Sequence, residues 1–595
     1  MDFSDCNQKI SLLFDFDDAS SAGQARPIEQ HGESNPFQDL EDRQRKSSVK
    51  RGLWPNKSSP LVVLYNYHAF ISSGQLSSLS PASYQALEDE GCFHLPQKHL
   101  LDEFVRQYFL YTHPFLPMLD QSSFWQSYRG EQCINVYSVG IPLLFIRAML
   151  FATCHLTAPY VITSLGFDTL RECRADLYYR AKLLYDSDTE SSNYWKSQSA
   201  LLLSFWVPRD AYGEERSNTN WLGAAIRHAK LIGAHNFASL IDGESKRILY
   251  KKLWWSCIIR DRILPMGLRR NIQIRRSELD SNPVEGIMLT ELEIEDGNND
   301  STVIDNITKV LLTKITSRFA QLCLILTDLL DRTDITQEHV QGVPGDDHLS
   351  AVTTSRGQEM KQKLVAWHRE TSSQLPLSTI GNTVAHLSEP GRSSVVFHAY
   401  VMYMYYFSSV IYLGDREVWH LLSTTPDEIT YTFLRFSHMR TYMDDIWEGI
   451  SKFTKCMREI MQLGLACYLP ISLVAFTAKP LAMLILFSQA QNNFKYPCKA
   501  YGKEAAEKQE QLNILIKAMK LFRDKFDGVE YVSAIIREAN DHAQLYELDQ
   551  PYNATRFWAE TLSSSPDVYA RLTATMDLSL GMGRVTRSYE LPVKL

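Results

Sequence analysis

"KKLWWSCIIRDRILPMGLRRNIQI", residues 251–274, is the stretch on which the fold turns. Two adjacent tryptophans precede an Arg-Asp-Arg triplet, and a glycine leads into two arginine pairs. With Ile248 and Leu249 just ahead, Leu253, Trp254, Cys257 and Ile258 fall on one helical stripe. Trp254 and Trp255 lie about 100° apart on such a helix, so one is expected to enter the core while the other covers a flank. Asp261 has an arginine on each side, Arg260 and Arg262. Helix neighbours face different directions, so Asp261 is expected to pair with a basic group on another helix and to fix register. Arg269, Arg270, Arg275 and Arg276 follow Gly267 in a turn, but Glu278 and Asp280 dilute any grip on phosphates. The stretch reads as the interior of a helical body rather than a nucleic-acid patch or a reaction centre.

The same periodicity extends outward. In "LLDEFVRQYFLYTHPF", Leu101, Phe104, Val105, Tyr108 and Phe109 form one apolar stripe that Pro114 stops. Asp120 is placed to cap a short helix that follows. Residues 141–156 are apolar nearly all round and should be central, with amphipathic helices at 168–186, 194–207 and 221–236, the last stopping at Gly233. A long helix is expected at about 304–333, and more continue to about residue 547. No convincing alternating strand stands out, so the fold class is all-α, a large multi-helix bundle. Residues 1–60 read as a disordered tail holding an acidic, apolar-interleaved segment (Asp15, Asp17, Asp18) and a basic cluster (Arg43, Arg45, Lys46, Lys50, Arg51). Residues 61–300 then form the N-terminal helical part of one domain, 301–550 its C-terminal helical part, and 551–595 a weakly ordered tail.

Composition narrows the function classes. The 595 residues are 45% hydrophobic and carry a net charge of −8, which argues against nucleic-acid binding through bulk positive charge. The 10 cysteines are spread singly, with no C-x-x-C, so they read as buried apolar side chains in a reducing compartment. The apolar run at 463–487 is long enough to span a bilayer, but Pro470, Lys479 and Pro480 interrupt it. It reads as buried helices broken at the prolines, and no membrane is expected as a partner.

Reaction chemistry is not announced. There is no Walker A loop, G-x-G-x-x-G, G-x-S-x-G or H-E-x-x-H, and the Gly581–Val585 stretch "GMGRV" lacks a third glycine and a preceding strand. His228 and His235 are spaced for one helical face but have no third ligand nearby, and Asp346, Asp347 and His348 read as a solvated loop. No catalytic, cofactor-binding or metal-ligating residue is assigned, and no enzyme is expected. The aromatic stretch "FHAYVMYMYYFSSVIYL" reads first as plain core, with an effector pocket as the alternative.

Taken in order, "LLDEFVRQYFLYTHPFLPMLDQSSFW", "SALLLSFW", "WLGAAIRHAKLIGAHN" and "KLWWSCIIRDRILPMGLRR" resemble the fungal-specific transcription factor domain, the helical regulatory region of zinc-cluster activators. "RDRILPMGLRR", "VAWHRETSSQLPL" and "YLPISLVAFTAKPLAM" are similar to the branch typified by cutinase transcription factor 1 beta. That resemblance implies a nuclear transcription regulator of lipid use or of a secondary-metabolite gene cluster. Its partners would be other regulators or coactivators, promoter DNA reached directly or through a partner, and a small-molecule effector, with homo- or heterodimers. The family also implies zinc held by six cysteines, whereas only Cys6 precedes Cys92 here, so the zinc is not supported by this sequence. Either the cluster lies upstream, or the chain is a cluster-less scaffold or corepressor acting through an intact partner.

Overall fold

The computed structural model describes residues 61–131, 140–208, 217–239, 243–279, 303–331, 347–423, 429–492, 502–544 and 566–586. The acidic and basic segments at Asp15–Asp18 and Arg43–Arg51 lie outside those residues, as do 280–302 and 332–346.

Helices start where side chains satisfy their first free N–H groups. Asp120 accepts from Ser123 N at 2.9 Å, Thr169 from Glu172 N at 3.2 Å, and Asp305 from Thr308 N at 2.9 Å. The helices of the first half are α1 (Pro81–Asp89), α2 (Lys98–Gln107), α3 (Gln121–Tyr128), α4 (Leu143–Thr153), α5 (Pro159–Ser164), α6 (Leu170–Asp186), α7 (Asn193–Leu203), α8 (Ser217–Leu231), α9 (Glu244–Leu268) and α10 (Arg276–Leu279). The second half holds α11 (Asn306–Leu330), α12 (Asp347–Gln374), α13 (Ile380–Thr383), α14 (Gly391–Ser423), α15 (Ile429–Gln462), α16 (Ser472–Asn492), α17 (Gly502–Arg523), α18 (Val529–Gln544) and α19 (Pro566–Met582). Strands are marginal among the described residues. β1 (Val62–Leu64) pairs antiparallel with β3 (His94–Pro96) in the register Val62↔Pro96, and β2 (Ile71–Ser72) pairs parallel with β4 (Ile141–Pro142).

One contiguous apolar cluster runs from Phe70 to Leu580 and includes residues of both halves. The central α4 is buried along its whole length, even at Arg147, whose guanidinium donates to the carbonyl oxygens of Gly91, Cys92 and His94. Helix α4 packs on α6 and α7, α7 on α8, and α8 on α9; α9 in turn meets α11 and α16. In the second half α14 lies against α11, α12 and α15, while α16 contacts α17 and α18. Helices α11, α14 and α16 each contain a window long and apolar enough to cross a membrane, and 67% to 83% of each window is buried against the rest of the chain.

Four features depart from the sequence reading. Pro470 does interrupt the 463–487 run, but α16 continues through Pro480, as α9 continues through Pro265. Gly267 lies inside α9, and the left-handed residue that ends the helix is Arg269, at φ 52°. Asp347 and His348, expected in a loop, begin α12, while Asp346 falls outside the described residues. Finally, the span read as a weakly ordered tail contains α19, which packs on α18 and buries Tyr569, Leu572, Met576 and Leu580. Its order comes from tertiary contacts that no local pattern announces.

Candidate functional site

The C-terminal half of α9 is buried on all sides, because α8, α11 and α16 surround it. Trp254 and Trp255 are therefore both inside, at 1% and 0% exposure, where the sequence placed one of them on a flank. Trp254 meets the edge of His235 at 5.9 Å between centroids. Asp261 does not reach another helix. It pairs with its neighbour Arg262 at 2.5 Å and accepts the backbone N–H groups of Gln273 (3.0 Å) and Ile274 (2.9 Å). The reason is that the chain doubles back after Arg269, so both side chains turn toward the same strip of backbone. Arg262 completes the clasp, donating to Ile274 O and to Thr327 Oγ1 on α11, each at 2.8 Å. Burial pushes the Asp261 carboxyl up to about 6, against the pull of Arg262 and the two N–H groups.

The arginines beyond α9 are mostly committed internally. Arg269 donates to Asp577 on α19 (2.9 Å) and to Asp415 on α14 (3.1 Å), and lies over the Tyr412 ring at 4.6 Å. Lys479 of α16 sits 3.3 Å from the same Asp415, to which Tyr569 also donates. Arg270 bonds Asn218 (2.9 Å) and Thr219 (2.7 Å), and Arg276 reaches Asp328 at 3.1 Å, leaving Arg275 exposed. These contacts build a body rather than a basic surface. The histidines are similarly occupied: His228 bonds Tyr185 OH at 2.7 Å and Asn193 at 2.8 Å. Among the described residues no group of three or more His, Cys, Asp or Glu is placed to hold a metal ion, and Cys92, Cys154, Cys173, Cys257, Cys323 and Cys456 are buried. The described residues thus fit no zinc cluster. The Gly581–Val585 stretch ends α19, with Gly583 in the left-handed region at φ 76°.

The feature with the chemistry of a site is a cavity of about 70 Å³, partly open to solvent. Helices α6, α9, α11 and α14 wall it, and the turn at Pro470–Ser472 closes one side. Aromatic rings from Tyr111, Phe115, Phe319, Phe397, Tyr468 and Phe526 line it. So do two buried arginines, Arg174 and Arg260. Arg260 donates to Ser204 Oγ (2.8 Å) and Ser204 O (2.7 Å) and lies 4.5 Å over the Phe205 ring. Burial lowers its guanidinium to about 10, and that of Arg174 is lowered for the same reason.

The sequence reading treated Arg260 only as a flank of Asp261 and did not single out Arg174. A signal was present for the second. Arg174 shares a helical face with Leu177, Tyr178 and Ala181, all buried, so a charge interrupts an apolar stripe. The aromatic stretch of α14 divides between the two readings offered for it. Phe397 and Tyr405 face the cavity, whereas Tyr406 stacks on Trp367 at 5.3 Å and Tyr403 donates to Leu375 O at 2.9 Å, which is ordinary core.

Comparison with known proteins adds what geometry alone does not supply. Residues 105–376 match the profile of the fungal specific transcription factor domain. The chain is 25% identical over 409 residues to cutinase transcription factor 1 beta of Fusarium vanettenii, covering 64% of this chain and 44% of that protein. It is 25% identical over 436 residues to a transcription factor of Fusarium pseudograminearum, covering 69% and 46%. A fusaric acid cluster transcription factor of Gibberella moniliformis matches at 25% over 231 residues, 39% of this chain and 33% of the relative. The matched region thus spans less than half the length of these relatives.

Proposed function

We propose, from the premise that the chain carries a fungal specific transcription factor domain at residues 105–376, that it is a nuclear transcription regulator of a filamentous fungus and works without catalysis. That domain match, together with one contiguous apolar core among the described residues, carries the reading. Two relatives are named as a cutinase transcription factor and a fusaric acid cluster transcription factor, and the reading extends from them to a secondary-metabolite gene cluster or to genes of lipid or cutin use as the targets here. Promoter DNA is engaged directly or through a partner regulator. The partner route draws support from Arg269 and Arg270, which are held by internal acceptors rather than offered to phosphates. Transcript profiling of a deletion strain tests the proposal: the expected result is a coordinated change in one block of neighbouring genes. An unchanged transcriptome under conditions where the protein is expressed would overturn it. Comparing DNA binding by the pure chain with binding by the chain co-purified with nuclear partners separates the two routes.

A further inference from the structure

We infer that the cavity between α6, α9 and α14 binds a small organic anion, a carboxylate on an aromatic or aliphatic body, with Arg174 and Arg260 as its charge partners. The site stands on geometry alone; only its regulatory consequence rests on the function proposed above.

Among the described residues, two guanidinium groups are buried here without a carboxylate in contact. Arg174 is 1% exposed and, among the described residues, makes a single hydrogen bond, Nη2 to Phe205 O at 2.6 Å. Its Nε and Nη1 are buried with no partner. The carboxylate whose field reaches it, Asp527, lies 3.7 Å from Arg171. Rings of Phe151 (4.7 Å) and Phe526 (5.2 Å) flank the guanidinium and offset part of its desolvation, but they supply no acceptor. Among the described residues Arg260 bonds the Ser204 hydroxyl and carbonyl oxygens and no carboxylate. The two arginines are thereby anchored on one turn, Ser204–Phe205, which sets them at the same end of the cavity. His155 lines the same space.

The rest of the lining fixes the ligand's other half. Among the described residues around the cavity there is no Asp or Glu to neutralise the arginines. Away from the Ser204–Phe205 end the walls are mostly apolar, with Phe115, Phe319, Phe397, Ile259, Ile263 and Ile471 prominent. Tyr405 and Ser472 bond each other at 2.7 Å, and Tyr111 and Tyr468 share a second side-chain hydrogen bond, so these hydroxyls are satisfied. A free inorganic anion would find charge but leave the apolar walls uncovered. A neutral apolar ligand would cover the walls but leave the Arg174 donors bare. A carboxylate attached to an apolar body meets both requirements, as buried polar and apolar surfaces each demand.

Titration calorimetry and thermal melting of the full chain with three probes test this: 4-phenylbutanoate, its neutral amide, and inorganic phosphate. The carboxylate is expected to bind and raise the melting temperature, the amide to bind about tenfold or more weakly, and phosphate to give no heat. Arg174→Met should remove the preference for carboxylate over amide. Ile471→Trp, which fills the cavity and leaves both arginines in place, should abolish binding of both organic probes and decides the matter if Arg174→Met does not fold. Equal affinity for carboxylate and amide, no binding of either, or undiminished binding by a folded Ile471→Trp chain would each overturn the site. Binding in vitro with an unchanged transcriptome would sink the regulator reading and leave the site intact; the reverse pattern would do the opposite.

Discussion

Asp261 and Arg262 form an ion pair inside α9 that is clasped to the backbone returning at Gln273 and Ile274. The Arg-Asp-Arg triplet marks an ion pair on an otherwise apolar helix, yet which arginine serves depends on the returning backbone at Gln273 and Ile274. Truncating Asp261 to alanine strands the buried Arg262 and frees two backbone N–H groups. The expected loss is about 3–5 kcal/mol, read from the urea midpoint. Protonation carries a second, separate signature. The Asp261 carboxyl is pushed up to about 6 from an ordinary 3.8, so between those values the folded chain keeps a proton that the unfolded chain has lost. Its contribution is whole below about pH 4 and is lost as pH rises through about 6. The buried His398, lowered to about 4 from 6.5, acts in the opposite sense: its contribution is whole above pH 6.5 and is lost as pH falls toward 4. The stability of wild type relative to Asp261→Asn should therefore shrink from pH 4 to 6, whereas that of wild type relative to His398→Gln should grow from pH 4 to 6.5. A flat difference in either pair would refute the corresponding assignment.

At the scale of elements, helices were legible because a 3.6-residue stripe is a local property; their ends and partners were less so. Leu101, Phe104, Val105, Tyr108 and Phe109 lie on one face and are all buried, and Asp120 caps the helix expected of it. Pro480 misled, since an interior proline costs about 3 kcal/mol in an isolated helix. Packing around α16 outweighs that penalty, as packing around α9 does for Pro265. The missed α19 has the converse explanation. Its stripe is interrupted by Thr573 and Asp577, polar groups that become tolerable only when Lys479 and Arg269 arrive from distant segments. Close packing of α14 on α15 was equally invisible from either helix alone. These two run in opposite directions, and a Cβ at Gly414 would stand 2.6 Å from Ile446 Cγ1 and 3.3 Å from Tyr442 O, while one at Gly449 would stand 2.9 Å from Ile411 Cγ1. Helix propensity alone would make Gly414→Ala stabilising by about 1 kcal/mol. The carbonyl contact reverses the sign, because a backbone cannot rotate away as a side chain can. Gly414→Ala should destabilise by about 1–3 kcal/mol, visible as a lowered melting temperature.

At the scale of the whole molecule, the charge cluster around Arg269 ties together segments far apart in the chain, and sequence spacing gave no access to it. Arg269 and Lys479 supply two cations, Asp415 and Asp577 two carboxylates, and Tyr569 donates into the group, so α9, α14, α16 and α19 meet at one neutral knot. Neutrality matters more than any single contact there, since all members but the partly exposed Asp577 are buried or nearly so and water compensates an imbalance poorly. Arg269→Gln leaves two carboxylates facing one lysine. It should cost about 3–5 kcal/mol, and the loss should fall unevenly. Helix α19 is bound to the body through Asp577, Tyr569 and Thr573, whereas α9 keeps its clasp at Asp261 and its apolar contacts. Amide hydrogen exchange should therefore accelerate across Pro566–Met582 while the middle of Glu244–Leu268 stays protected. Adding Asp577→Asn to Arg269→Gln removes the surplus charge, so the double variant should be less destabilised than the two single losses summed. Strict additivity, or uniform loss of protection in both helices, would mean that α19 is held by apolar packing alone and that the charge knot merely accompanies it.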